Sequence, residues 1–95
     1  MKQAIVRKTL ANEWTAYEFE TRSRFFYVKN LSSDNCFVSF EPDTPEVNSF
    51  LIPSMHAEEV AMTFSPIDRN EYYTNTIYVK GTGDVEVQAM DIVEG

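Results

Sequence analysis

The sequence predicts an all-β protein: a small antiparallel β-sandwich, jelly-roll-like, of about seven or eight strands with two related hairpins. Three observations predict this class. Apolar residues recur with a period of two, as in Asp84-Val85-Glu86-Val87-Gln88-Ala89, the pattern of a strand that buries one face and wets the other. Turn residues punctuate the chain at short intervals. One strand-turn-strand pattern also occurs twice, its first strand ending in Tyr27-Val28-Lys29 and again in Tyr78-Val79-Lys80.

The elements follow in order. Ala4–Leu10 reads as a strand, and residues 1–12 as either an edge strand or an arm. Trp14–Glu20 is a second strand. Phe26–Lys29, the polar turn Asn30–Asn35 and Cys36–Phe40 form the first hairpin. Asn48–Ile52 is a short strand stopped by Pro53, which lacks the donor a central ladder needs. After the Pro53-Ser54-Met55 turn, His56–Met62 contains helix-favouring Ala, Glu and Met. Its shortness and the preceding proline turn make it a strand instead. Thr76–Lys80 and Asp84–Ala89 form the second hairpin around Gly81-Thr82-Gly83, whose glycines are expected to supply positive φ. Glu41–Val47 and Phe64–Tyr73 hold Pro42, Pro45 and Pro66 among polar residues and read as loops.

Composition bounds the function. The 95 residues are expected to form a single β-sandwich domain, 1–95, with enough apolar content at 43% to fill one core. With 15 acidic and 8 basic residues the net charge is −7, which disfavours nucleic acid and anionic membrane as partners. No apolar run is long enough for a membrane-spanning helix, so no membrane insertion is expected. The charged start Met1–Lys8 does not resemble a signal peptide. One cysteine cannot form an internal disulfide.

Chemistry-bearing residues each have a plain structural explanation. His56 has Glu58 on its own strand face, but no second histidine or cysteine cluster completes a zinc site, so no metal is expected. Cys36 alternates inward beside Val38, where a lone thiol packs as a small apolar group. Serines lack a nucleophile elbow. Glu41, Asp43 and Glu46 crowd one loop without the spacing or glycine of a calcium loop. Gly81-Thr82-Gly83 lacks the third glycine of a phosphate-binding loop. No catalytic residue, cofactor or enzyme activity is therefore expected. Aromatic side chains are the better candidates: Tyr27, Phe37 and Tyr78 alternate outward, and Tyr72 and Tyr73 sit in a polar loop. Exposed aromatic area marks partner or sugar surfaces. Trp14, inside a strand, is assigned to the core.

The order Phe-Tyr-Val-Lys, polar turn, Phe37-Val38-Ser39-Phe40-Glu41, then Ser49-Phe50-Leu51-Ile52-Pro53, closing with Ile77–Gln88, carries a resemblance. From Phe25 to Ala89 the chain resembles small all-β structural and accessory proteins of tailed bacteriophages and prophages, most specifically over Thr76–Gln88. Such proteins often carry a glycine after the Ile-Pro turn, where this chain has Ser54-Met55. The resemblance implies a non-enzymatic virion component: a head decoration or fibre, or a tail or baseplate component. It would be made in the host bacterial cytoplasm, without a secretion signal, and located in the virion. It would act by homo-oligomerisation and docking on other virion proteins through an aromatic β face. A carbohydrate-binding module for a host cell-surface glycan, with Tyr72, Tyr73 and Trp14 stacking on sugar rings, is the second reading. An acidic mimic of DNA ranks last, because eight basic residues interrupt its carboxylates.

Overall fold

The computed structural model describes residues 4–41, 49–61 and 74–93. Seven strands follow in order: β1 (Ile5–Ala11), β2 (Thr15–Asn30), β3 (Cys36–Ser39), β4 (Phe50–Ile52), β5 (Ala57–Ala61), β6 (Thr74–Lys80) and β7 (Thr82–Val93). Among the described residues all strand pairs are antiparallel and no helix forms.

β2 organises the sandwich because it serves twice. Thr15–Glu18 pair with β6, the register then shifts, and Phe25–Asn30 pair with β7. β5 lies along Phe25–Lys29 of the same strand. A strand that changes partners at an irregularity is the usual way for a chain to turn from one sheet into another. Sheet one therefore runs β1-β7-β2-β5, using the second half of β2, and sheet two runs β4-β3-β6-β2, using the first half. This strand order is that of a jelly roll, in agreement with the fold class the sequence predicts. Inward residues of the two sheets meet in one core: Phe26, Val28, Val60, Val85, Val87 and Ala89 from sheet one, and Tyr17, Phe19, Cys36, Val38, Ile52, Ile77 and Val79 from sheet two.

The two expected hairpins do not form. β2 does not pair with β3, and β6 does not pair with β7. Each link instead carries the chain from one sheet across to the other, and the two crossings pair with each other: Val28 opposes Val87, and Val38 opposes Val79. Alternation reports which side chains point inward and is blind to the identity of the neighbouring strand, so both arrangements satisfy it. The glycines accordingly serve close approach. A Cβ on Gly81 would stand 2.9 Å from the Cβ of Cys36, and one on Gly83 would stand 2.7 Å from the Cβ of Ser32. Gly83 alone has the positive φ, 80°.

The repeated Tyr-Val-Lys pattern belongs to a pseudo-two-fold relation that covers the whole fold. Tyr27-Val28-Lys29 pair with Gln88, Val87 and Glu86, while Tyr78-Val79-Lys80 pair with Ser39, Val38 and Phe37. Thr15–Glu18 lie along Val79–Thr76 as Glu58–Ala61 lie along Val28–Phe25. Val6–Lys8 lie along Val87–Val85 as Phe50–Ile52 lie along Val38–Cys36. Even the turns correspond: the links from β1 to β2 and from β4 to β5 each hold a positive-φ residue, Asn12 at 61° and Met55 at 60°.

Other expectations meet the structure as follows. Of the expected strand His56–Met62, Ala57–Ala61 form β5 and Met62 lies outside the described residues, while Ile5–Ala11 form the edge strand β1. Thr15–Glu20 of the expected strand Trp14–Glu20, and all of Phe26–Lys29, are parts of one continuous strand of 16 residues. Trp14 is half-buried just before β2 and is not among the core residues. The proposed loop Phe64–Tyr73 and all of Glu41–Val47 except Glu41 lie outside the described residues.

Candidate functional site

Four links gather at one end of the sandwich: Asn12 N–H of the β1–β2 link donates to Gly81 O of the β6–β7 link at 2.7 Å, and a buried amide ties the β2–β3 link to the β4–β5 link. Asn30 Nδ2 donates to the carbonyls of Asp34 (2.8 Å), Ile52 (3.1 Å) and Pro53 (3.2 Å), while its Oδ1 accepts from Ser32 N at 3.1 Å. Its own N–H reaches His56 O at 2.8 Å. Ser54 Oγ donates to Ser32 O (3.0 Å), and Thr82 Oγ1 to Asp34 Oδ2 (2.7 Å). With these groups satisfied by one another, this end is a structural knot.

The outer faces differ in chemistry. On sheet one, Arg7, Glu86, Lys29 and Ala57 form one row across four strands. Arg7 Nη2 donates to Glu86 Oε1 at 2.9 Å, and Lys29 Nζ lies 3.3 Å from Glu86 Oε2. The hydrogen bonds from Arg7 and then Lys29 hold the Glu86 carboxyl below the ordinary carboxylate range. Tyr27 stands in the next row, between Gln88 and Glu59, with the Lys29 ammonium 5.7 Å from its ring centre.

On sheet two, the positions related by the pseudo-two-fold carry Leu51, Phe37 and Lys80. Tyr78 fills the next row between Ser39 and Ala16. Leu51 is 51% exposed, Phe37 and Tyr78 are half-buried, and Trp14 lies next to Thr15, which pairs with Val79. At the edge, Phe50 is 45% exposed and closes a chain of rings: Phe19 to Phe26 at 5.5 Å, Phe26 to Phe40 at 5.9 Å, and Phe40 to Phe50 at 6.4 Å.

The expected outward aromatics thus all point outward, but not on one face. Phe37 and Tyr78 share the outer face of sheet two, whereas Tyr27 stands on sheet one. A single aromatic face containing all three is corrected, because the corners place the two Tyr-Val-Lys strands in different sheets. Tyr72 and Tyr73 lie outside the described residues. Reading the sequence alone missed Phe50 and Leu51. Two adjacent large apolar residues in a short strand were the available signal, since alternation must send one of them outward.

The remaining candidates take structural places. Cys36 is fully buried, and desolvation pushes its thiol up to about 12, so it is not a thiolate near neutral pH. His56 is exposed with Nδ1 2.8 Å from Ser54 O. Asp84 accepts from Thr9 Oγ1. Asp43 and Glu46 lie outside the described residues. Among the described residues no cluster of His, Cys, Asp and Glu could hold a metal ion, and no helix is long and apolar enough to cross a membrane.

Comparison with known protein-family models, with curated protein sequences and with solved structures finds no match for this chain. The jelly-roll class therefore rests on strand order and pairing.

Proposed function

We propose that the protein is a non-enzymatic structural or accessory subunit of a phage virion, in the head or the tail, that works by self-association and by docking on other virion proteins. The observation that carries the docking part is the outer face of sheet two. Leu51 and Phe37 occupy the positions that hold Arg7 and Glu86 on sheet one, with Tyr78 in the next row. A sheet of the same plan is solvated by an ion row on one side of the molecule, so the apolar row on the other is not demanded by folding. Apolar and aromatic side chains collected on one face suit a protein interface. The virion assignment comes from the sequence resemblance over Phe25–Ala89.

The test transplants one row onto the other. L51R/F37E, with Lys80 already in place, reproduces the Arg-Glu-Lys row of sheet one. The expected result is a folded protein that no longer joins purified phage particles, followed by mass spectrometry of the particles, while wild type does. Equal incorporation of wild type and variant would overturn the docking face. Absence of the wild-type chain from particles, combined with L51R/F37E-sensitive binding to host-wall polysaccharide, would replace the virion role with glycan recognition.

A further inference from the structure

The two edges of sheet one are complementary. Among the described residues β1 pairs as a strand only with β7 and β5 only with β2, so among them no further strand lies along the outer edge of either at Val6–Thr9 or Ala57–Val60. β1 carries Val6-Arg7-Lys8-Thr9, and β5 carries Ala57-Glu58-Glu59-Val60. Arg7, Lys8, Glu58 and Glu59 are all exposed. We infer that β1 of one copy adds to β5 of the next, joining copies head to tail into a continuous antiparallel sheet.

Direction and register both permit this. Within one copy β1 runs with β2 and β5 runs against it, so a neighbour in the same orientation sets its β1 antiparallel to β5. In the register that opposes Glu59 to Arg7, Glu58 opposes Lys8, Val60 opposes Val6 and Ala57 opposes Thr9. The faces agree as well. Glu59 is in a row with outward Tyr27, and Arg7 with outward Glu86, while Val60 and Val6 both lie on the core side. Opposite charges would meet on each face, and the apolar pair would extend the core row across the junction.

The charges now on these edges leave room for the partner. Lys8 Nζ donates one hydrogen to Ala16 O at 2.7 Å and lies 5.5 Å from the Tyr17 ring centre, and an ammonium has further hydrogens to give. Arg7 directs Nε and Nη2 at Glu86 and keeps other donors. Among the described residues the carboxylates of Glu58 and Glu59 have no hydrogen-bond or ion-pair partner. An inward-pointing lysine on an edge strand ordinarily blocks pairing. Here it blocks β1 against β1, as the glutamates block β5 against β5, and leaves β1 against β5 as the compatible junction. A head-to-tail contact of this kind generates a closed ring or an open filament.

This inference rests on the self-association part of the proposed function, and the experiment separates the two. Light scattering of the wild-type protein across concentration is compared with R7E/K8E, with E58K/E59K, and with their equimolar mixture. Circular dichroism checks that each is folded. Wild type is expected to assemble, each variant alone to require at least tenfold higher concentration, and the mixture to recover, because every junction in it is again acid against base. As a second measurement, K8C/E58C in a Cys36→Ser background should oxidise to a covalent ladder. One copy cannot close this bridge on itself, because its β1 and β5 are three strand spacings apart, roughly 14 Å, beyond the reach of a disulfide. Variants that assemble like wild type, with no ladder, overturn the edge junction and leave self-association standing. Wild type that stays monomeric and yields no ladder overturns both.

Discussion

The two sheets share one plan of pairing, yet their outer faces have diverged. Where sheet one sets Arg7, Glu86 and Lys29 side by side, sheet two sets Leu51, Phe37 and Lys80. The centres of their inner faces have not diverged in this way. Val28 opposing Val87 corresponds to Val79 opposing Val38, and all four valines are fully buried. Packing holds the inside to one solution, because a change of even one methylene is felt there. The outside is held only by what it meets. The difference therefore separates residues that make the sandwich from residues available for use, and it makes sheet two the side to test for docking. The corners differ in a second way. Asn30, the buried hub after the first Tyr-Val-Lys, corresponds to Gly81 after the second. One corner is closed by hydrogen bonds and the other by the absence of a side chain.

The largest effect is expected at the hydrogen-bonded corner. Asn30→Leu removes the amide that serves Asp34, Ile52 and Pro53, and leaves buried carbonyls without a donor. A loss of roughly 3 kcal/mol is expected in urea denaturation. A loss below about 1 kcal/mol would mean that water replaces the amide and that the hub is not what closes this corner.

At the side-chain-free corner the expected effect is smaller. Gly81 has no positive φ, so an alanine there would ordinarily stabilise by trimming the unfolded ensemble. The 2.9 Å approach to the Cys36 Cβ reverses that sign and makes Gly81→Ala cost about 1–3 kcal/mol. Cys36→Ala should not relieve the clash, because it keeps the offending Cβ. A neutral or stabilising G81A in thermal denaturation would show that the corner has room to move.

These two corners also explain how far the sequence could be read. Period-two alternation placed the strands around Val28, Val38, Val79 and Val87, because burial of one face is a local property of the chain, while β4 and β5 were placed by the proline turn between them. Pairing is not local. Lys29-Asn30 and Lys80-Gly81 look like hairpin entrances, and only the packing of Gly81 on Cys36 and Gly83 on Ser32 shows that each corner crosses between sheets. The candidate surface suffered from the same blindness. Outward orientation was legible for Tyr27, Phe37 and Tyr78, but which of them share a face depends on sheet membership. Leu51 was hidden because its strand has three residues, too few for alternation to register.

A pH-dependent effect comes next. Cys36 occupies the place of Val85 in the other half, and burial raises its thiol from 9.0 to about 12. A folded-state value above the unfolded one adds stability that is complete below pH 9 and is lost as pH rises toward 12. Unfolding free energy should therefore fall across that alkaline window. Cys36→Ala should remove part of the slope and leave the part due to Tyr17, whose buried phenol is also raised. At pH 8 the native thiol should be inert to a disulfide reagent. Rapid labelling would show that the corner opens.

The smallest effect tests the comparison most directly. Glu86 is the centre of the ion row on sheet one, and its side chain is 13% exposed beneath Arg7 and Lys29. Because its folded-state value lies below the ordinary 4.5, it adds stability at higher pH that disappears as pH falls through the folded value. The row sits on an outer face, where solvent and salt screen it, so Glu86→Gln should cost less than about 1 kcal/mol at neutral pH. The cost should shrink further in high salt and vanish in acid. In L51R/F37E the same row is installed on sheet two and should gain a similar, equally salt-sensitive increment. If both hold, the ion row is interchangeable between sheets, and folding gives no reason to keep Leu51 and Phe37. Their retention would then be attributed to what they touch outside the molecule. If instead L51R/F37E loses several kcal/mol, the apolar row belongs to the fold of sheet two, and the case for it as a docking face fails.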